Sequence, residues 1–300
     1  AILDENSFFL VMDKTVNPSE AISHIESGMT IGIGGWGSRR KPMSLIRELI
    51  KSEKKNFTVV SYGGPDVGML CAAGKIKKLI FGFVSLETTP LEPHFRHSRQ
   101  EGELEIMEID EGMLNLGLSA AGSRLPFAVT RSGLGTDVFK LNPQIKTIKS
   151  PYSDEILLAM PAIPLDVAII HVHESDSAGN TFIYGPDHFF DDKFARAASK
   201  VIISTEKLIK NNEININQAP FNMFERSLVT GVVEAEFGAH PTAATPNYGF
   251  DTKHLEEYSQ TLSDESWQDY FNKYVNLEHK TYIEIVGGKK HISSLENPVL

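Results

Sequence analysis

The chain has 300 residues, 41% hydrophobic and 23% charged, an ordinary globular balance that suits one α/β domain with an appended piece. Its formal charge of -10 argues against nucleic acid, whose phosphates need a basic face, yet leaves room for an anionic ligand held by a few local cations. The single cysteine, Cys71, cannot form an internal disulfide and sits among small and apolar neighbours, so it reads as a packing residue, with a nucleophile as the lesser alternative.

In chain order, residues 1–17 lack a regular pattern and are expected to be an N-terminal arm; the apolar patch at 8–12 is too short for a secretory segment and follows acids. A helix over 19–26, with Ser19 as cap, leads to a strand over 30–33, and a second helix opens at Pro42 and runs to about 54. Strands follow over 57–61, 78–84 and 103–109, with a short helix over 93–100 between them. The stretch 110–123 reads as a helix with Met113, Leu114, Gly117, Leu118 and Ala121 on one stripe. After 127–130 comes the glycine turn 132–136, then strand 166–172, a helix near 189–198, and strands over 201–204 and 228–233. This alternation predicts an α/β fold: an open, mostly parallel sheet with helices on both faces, over residues 18–250. Residues 251–300 are polar and helical, an extension expected to pack outside that domain. The apolar stretch 156–172 holds Pro161, Pro164 and Asp166 and does not span a membrane, so a cytoplasmic protein is expected.

The glycine loop Gly32-Ile33-Gly34-Gly35-Trp36-Gly37 follows a strand and admits three readings. As a dinucleotide site it fits G-x-G-x-x-G, but the next strand ends in Ser61-Tyr62-Gly63-Gly64 without the acid that a ribose needs. As a structural turn, its glycines only relieve sterics. As an anion site, its amides and the cations Arg39, Arg40 and Lys41 hold a thioester oxygen and nearby negative charge.

The run from Ser27 to Trp36, followed by Pro42, resembles the N-terminal signature of family I coenzyme A transferase α subunits, departing from it at Ser27, Gly32, Trp36 and Arg40. Further stretches fall in the family's order: Tyr62-Gly63-Gly64-Pro65-Asp66, Arg124-Leu125-Pro126-Phe127, Ser132-Gly133-Leu134-Gly135-Thr136, Ser177-Ala178-Gly179-Asn180 and Gly238-Ala239-His240-Pro241. The resemblance spans roughly residues 18–250 and implies the coenzyme A transferase fold. It also implies a β-subunit partner in an α2β2 heterotetramer, and an acyl-CoA substrate with coenzyme A as part of it rather than a tightly bound cofactor. It implies a substrate site at Gly34, Gly35, Trp36, Arg39 and Arg40.

Family transferases use a glutamate nucleophile that belongs to the β half, in a Ser-Glu-Asn-Gly motif this chain lacks. Instead Asp110-Glu111-Gly112-Met113, with the loop Gly34 to Met43, looks like the α subunits of bacterial steroid ring-opening hydrolases, which cleave a cyclic β-ketoacyl-CoA. More distantly, Arg40-Lys41-Pro42 is similar to the glutaconate CoA-transferase branch. Carried over from the hydrolase branch, the acid falls on Glu111 and an active-site arginine on Arg131. In a retro-Claisen ring opening the carboxylate activates water, and the amides of Gly34 and Gly35, or Arg131, hold the developing oxyanion. Three possibilities stay open: that hydrolase, a transferase whose nucleophile lies in the β subunit, and a dinucleotide-binding module. Glu111 at a helix start is also what the helix dipole favours without any chemistry. Arg131 equally suits a plain salt bridge. His171-Val172-His173 imitates a metal pair, but no further histidine cluster completes a set, so strand-end packing is expected there and no metal. His240 lies in a loop and faces either the site or only the partner subunit.

Overall fold

The computed structural model describes residues 12–186 and 188–298. The apolar patch at 8–12 lies outside them except for Met12, and Thr15 at the end of the expected arm bridges to Val232 in parallel. The strands are β1 (Thr30–Ile33), β2 (Phe57–Gly63), β3 (Ile76–Val84), β4 (Glu105–Glu108), β5 (Phe127–Thr130), β6 (Lys146–Lys149), β7 (Ile156–Pro161), β8 (Leu165–Asp176), β9 (Thr181–Phe182), β10 (Ala198–Ile209) and β11 (Val229–Glu234). The helices are α1 (Pro18–Ser23), α2 (Met43–Lys51), α3 (Pro65–Ala72), α4 (Pro93–Gln100), α5 (Glu111–Gly122), α6 (Val138–Leu141), α7 (Asp191–Ala197), α8 (Thr252–Ser259), α9 (Asp264–Tyr270), α10 (His279–Ile285) and α11 (Gly288–Ile292).

The main sheet runs β11-β10-β8-β1-β2-β3-β4 with every neighbouring pair parallel, and only the short β9 joins β8 antiparallel. Its interior strands are near-continuous apolar runs because both faces are covered. Successive residues point to opposite faces: Val59 and Ile169 join one core, Val60 and Ile170 the other. The first core packs under α2, α3 and α4, and the second under α5 and α7. A separate antiparallel sheet, β5-β7-β6, lies against α5, where a Cβ on Gly117 would come within 3.2 Å of the Met160 methyl.

Two local details depart from the sequence reading. Asn17, not Ser19, caps α1, its side chain accepting from the Glu20 amide. Residues 251–300 do form helices, yet they do not merely lie outside: Leu255, Tyr258, Tyr270, Tyr274, Val275, Tyr282, Ile283 and Ile292 enter the first core. Tyrosine can do this because its hydroxyl finds a buried partner, as Tyr258 does in donating to Glu92 at 2.7 Å.

Candidate active site

In a parallel α/β sheet, ligands bind beyond the carboxyl ends of the strands. Here β1 runs into the glycine loop, β2 into Gly63-Gly64, β3 ends through Gly82-Phe83, and α5 opens after β4 with Glu111. Three glycines let these segments meet. Gly35 has φ of 75°, and a Cβ there would sit 2.5 Å from the Arg39 carbonyl oxygen. A Cβ on Gly64 would sit 1.9 Å from the carbonyl oxygen of Gly37, and one on Gly82 only 3.2 Å from the Glu111 amide nitrogen.

The loop amides are used within the chain. Gly34 N–H donates to the Ile169 carbonyl at 2.9 Å, and Gly37 N–H to the Tyr62 carbonyl at 3.1 Å. Gly35 N–H donates to Asp191 Oδ1 at 2.8 Å. Trp36 and Arg39 exchange two backbone hydrogen bonds of 2.9 Å each. The expected oxyanion role of Gly34 and Gly35 is corrected on this point, because neither amide is an open donor. The dinucleotide reading fails for the same reason and one more: α2 does not begin until Met43, so the helix that follows the loop does not open on its glycines.

The three cations separate. Arg40, 1% exposed, is a strut under the loop rather than a substrate ligand at the surface. It pairs with Asp191 and donates to the carbonyls of His171 at 2.7 Å and His188 at 3.2 Å. Lys41 is buried against Asp66 at 3.2 Å and the Ser61 hydroxyl at 2.9 Å, and that burial lowers its pKa despite the Asp66 charge. Arg39 stays at the rim, forked onto Glu87 at 3.0 and 3.1 Å, its guanidinium 5.9 Å from the centre of the Trp36 ring.

Glu111 is the first residue of α5, with Asp110 as cap through the Met113 amide at 2.8 Å. Its backbone carbonyl accepts from the Tyr62 hydroxyl at 2.9 Å, and its Oε2 lies 3.4 Å from Trp36 Nε1. Burial, with the Glu111 and Asp110 charges adding to it, raises the Tyr62 pKa, so this hydroxyl stays a proton donor. Aromatic rings surround the pair: Phe83 meets Trp36 edge-on at 4.7 Å, Phe189 stacks on it at 6.1 Å, and Phe190 lies 4.8 Å from Tyr62. The Glu111 side chain itself is exposed in the single chain.

Arg131 does not join this group. Its side chain is 73% exposed and forks onto Glu155 at 2.5 and 2.7 Å. The turn it begins is nevertheless tied to the start of α5, because the Ser132 hydroxyl donates to Asp110 at 3.0 Å. Tyr62, Phe83, Phe189, Phe190 and Asp191 were not foreseen; the acidic pair Asp191-Asp192 at a helix start was the only available signal for Asp191.

The histidines have protein partners. His171 is held by Ser204 at 2.8 Å and Glu206 at 2.7 Å, and His173 by the Thr245 carbonyl at 2.9 Å and the Tyr184 amide at 3.0 Å. Burial drops His173 to about 3, keeping it neutral. His240 is buried against Tyr282 at 2.7 Å and turned toward the C-terminal helices. Cys71 is buried on α3, its thiol pushed up by desolvation.

Residues 15–235 match the family model described as coenzyme A transferase. The chain belongs to the coenzyme A transferase family. It is 43% identical over 280 residues to the cholesterol ring-cleaving hydrolase IpdA subunit of Rhodococcus jostii, covering 90% of this chain and 94% of that one. With the subunit of the same description from Mycobacterium tuberculosis the identity is 42% over 279 residues, covering 90% and 96%. Among solved structures, glutaconate coenzyme A-transferase from Acidaminococcus fermentans superposes with a TM-score of 0.87 at 26% identity, covering 94% of this chain and 95% of that one. The decarboxylase AibA/AibB gives 0.76 at 25% identity, covering 87% and 100%. The hydrolase relatives are named as subunits, which implies a partner chain for this family member too. No helix among the described residues is long and apolar enough to cross a membrane.

Proposed function

We propose that this chain is the α subunit of a cytoplasmic, two-subunit hydrolase that opens the ring of a steroid-derived cyclic β-ketoacyl-CoA, with Glu111 as the acid–base group. The observation that carries the reading is the position of Glu111: a carboxylate at the carboxyl edge of the sheet, beside Trp36 in an aromatic setting, in a chain 43% identical to a ring-cleaving hydrolase subunit.

The chemistry balances without a redox partner. Glu111 takes a proton from water, and the hydroxide adds to the ring ketone. The carbon–carbon bond to the α-carbon then breaks, and its electron pair moves into the thioester as an enolate. The proton returns to that carbon, leaving a new carboxylic acid and an intact CoA thioester. Coenzyme A enters as part of the substrate, with Arg39 as the loop cation that stays at the rim, and no tightly bound cofactor takes part. Arg131, once released from Glu155, supplies positive charge to the developing oxyanion.

Glu111 is exposed in the isolated chain, whereas a base that strips water works best away from bulk solvent. A β subunit closing over this edge, in an α2β2 assembly, provides that exclusion. A second reading has support of its own in the 0.87 superposition on glutaconate coenzyme A-transferase: an α subunit that shapes the pocket while the nucleophilic glutamate lies in the partner.

The test is the complex co-purified with its β subunit. Glu111→Gln is expected to assemble normally and to lose about 10²–10⁴-fold in ring-opening turnover. Full activity in that variant would remove Glu111 from the mechanism.

A further inference from the structure

Glu111 and Trp36 differ in how firmly they are held. Trp36 is fixed by its two backbone bonds with Arg39, by Gly35 and Gly37 at φ 75° and 53°, and by Phe83 and Phe189 on its ring. Behind it, Asp191 holds the Gly35 amide at 2.8 Å. Glu111 is fixed at its backbone, by the Tyr62 hydroxyl and by the close approach of Gly82, but its carboxylate extends into the open. Among the described residues, the indole N–H, 3.4 Å from Oε2, is the side-chain hydrogen-bond partner of that carboxylate. An indole is a donor only and carries no charge at any working pH, so it cannot compete for the proton that Glu111 must take.

We infer that Trp36 is the positioning residue of this site: its N–H holds one oxygen of Glu111 and leaves the other turned toward the attacking water. This rests on reading Glu111 as the base, and goes beyond it by giving the aromatic of the glycine loop a task other than packing against substrate. The separation is long for a hydrogen bond, as catalytic contacts often are before substrate closes the site. The other charged or titratable groups beside the pair are Asp110, engaged with Met113 and Ser132, Tyr62, and Arg39 in its ion pair with Glu87.

The experiment uses the αβ complex with Trp36→Phe, which keeps a ring and loses the donor. A second variant carries β-(3-benzothienyl)alanine at position 36, which keeps the indole's shape without its N–H and covers the event that phenylalanine fails to pack. In both, kcat is expected to fall about tenfold with KM little changed. A raised KM with unchanged kcat would overturn the proposal and make Trp36 a substrate contact, and so would no change at all. Glu111→Gln run alongside separates the two claims. If it is inactive while both Trp36 variants behave as wild type, only the positioning role falls; if it is active, the base and the positioning role fall together.

Discussion

Asp191 shows how much a single side chain can decide. One carboxylate oxygen takes the Gly35 amide and the other pairs with Arg40, with all three residues out of solvent. Removing one member of a buried pair leaves the other charge without compensation, which is far costlier than the pair is favourable. Asp191→Ala is therefore expected to destabilise the protein by about 3–5 kcal/mol, read as a lower midpoint in urea unfolding. The glycine loop was legible in the sequence because positive φ and close backbone approach demand glycine there. What its amides do was not, since the acceptor for Gly35 lies 156 residues away and that for Gly34 is a carbonyl of β8. Arg40 and Lys41 were misread for the same reason: Asp191, His171 and Asp66 reach them only after the sheet is assembled.

At the level of elements, period and punctuation gave the parallel strands and most helices to within a few residues. β4 is shorter than expected and β8 and β10 longer, as ends are set by pairing with neighbours rather than by composition. The antiparallel β5-β7-β6 sheet was not foreseen as a unit, because β6, with Lys146 and Lys149, has little apolar text. The C-terminal helices misled for a related reason: their aliphatic residues are sparse among charged ones, and tyrosines supply much of what enters the core.

Buried histidines on both sides of the contact, His94 of α4 and His254 and His279 of the C-terminal helices, make docking of those helices depend on pH. His94 bonds Thr261 at 2.9 Å, His254 bonds Tyr270 at 2.8 Å, and His279 bonds the Glu236 carbonyl at 2.8 Å. Burial pushes them from the usual 6.5 to about 4, 3 and 4. The unfolded chain binds these protons near pH 6.5 and the folded one does not, so their contribution is complete above 6.5 and is lost as pH falls toward 4 and 3. Buried Glu92, raised by desolvation from 4.5 to about 7, acts oppositely: it adds stability in acid that fades as pH rises through 7. Three groups outweigh one, so the melting temperature is expected to drop steadily from pH 7 to pH 4. A melting temperature that holds or climbs over that range would contradict the assignment of these rings as neutral.

For the whole molecule, the site is half built. The chain supplies a shaped carboxyl edge, an aromatic wall and a carboxylate, but leaves Glu111 facing solvent, as one part of a two-chain enzyme would. The family's fold was within reach of the sequence, and so was the place of Glu111 at the start of α5; the aromatic wall was not, because Tyr62, Phe83 and Phe189 come from three separate parts of the chain. Hydrolysis and acyl transfer on this scaffold differ in where an oxygen atom goes. The most direct measurement is turnover of a cyclic β-ketoacyl-CoA by the αβ complex in ¹⁸O-water, with a free carboxylic acid present as acceptor. Ring opening predicts one ¹⁸O in the new carboxylate and CoA still joined to the product; CoA passed to the acceptor with the ring intact would contradict it.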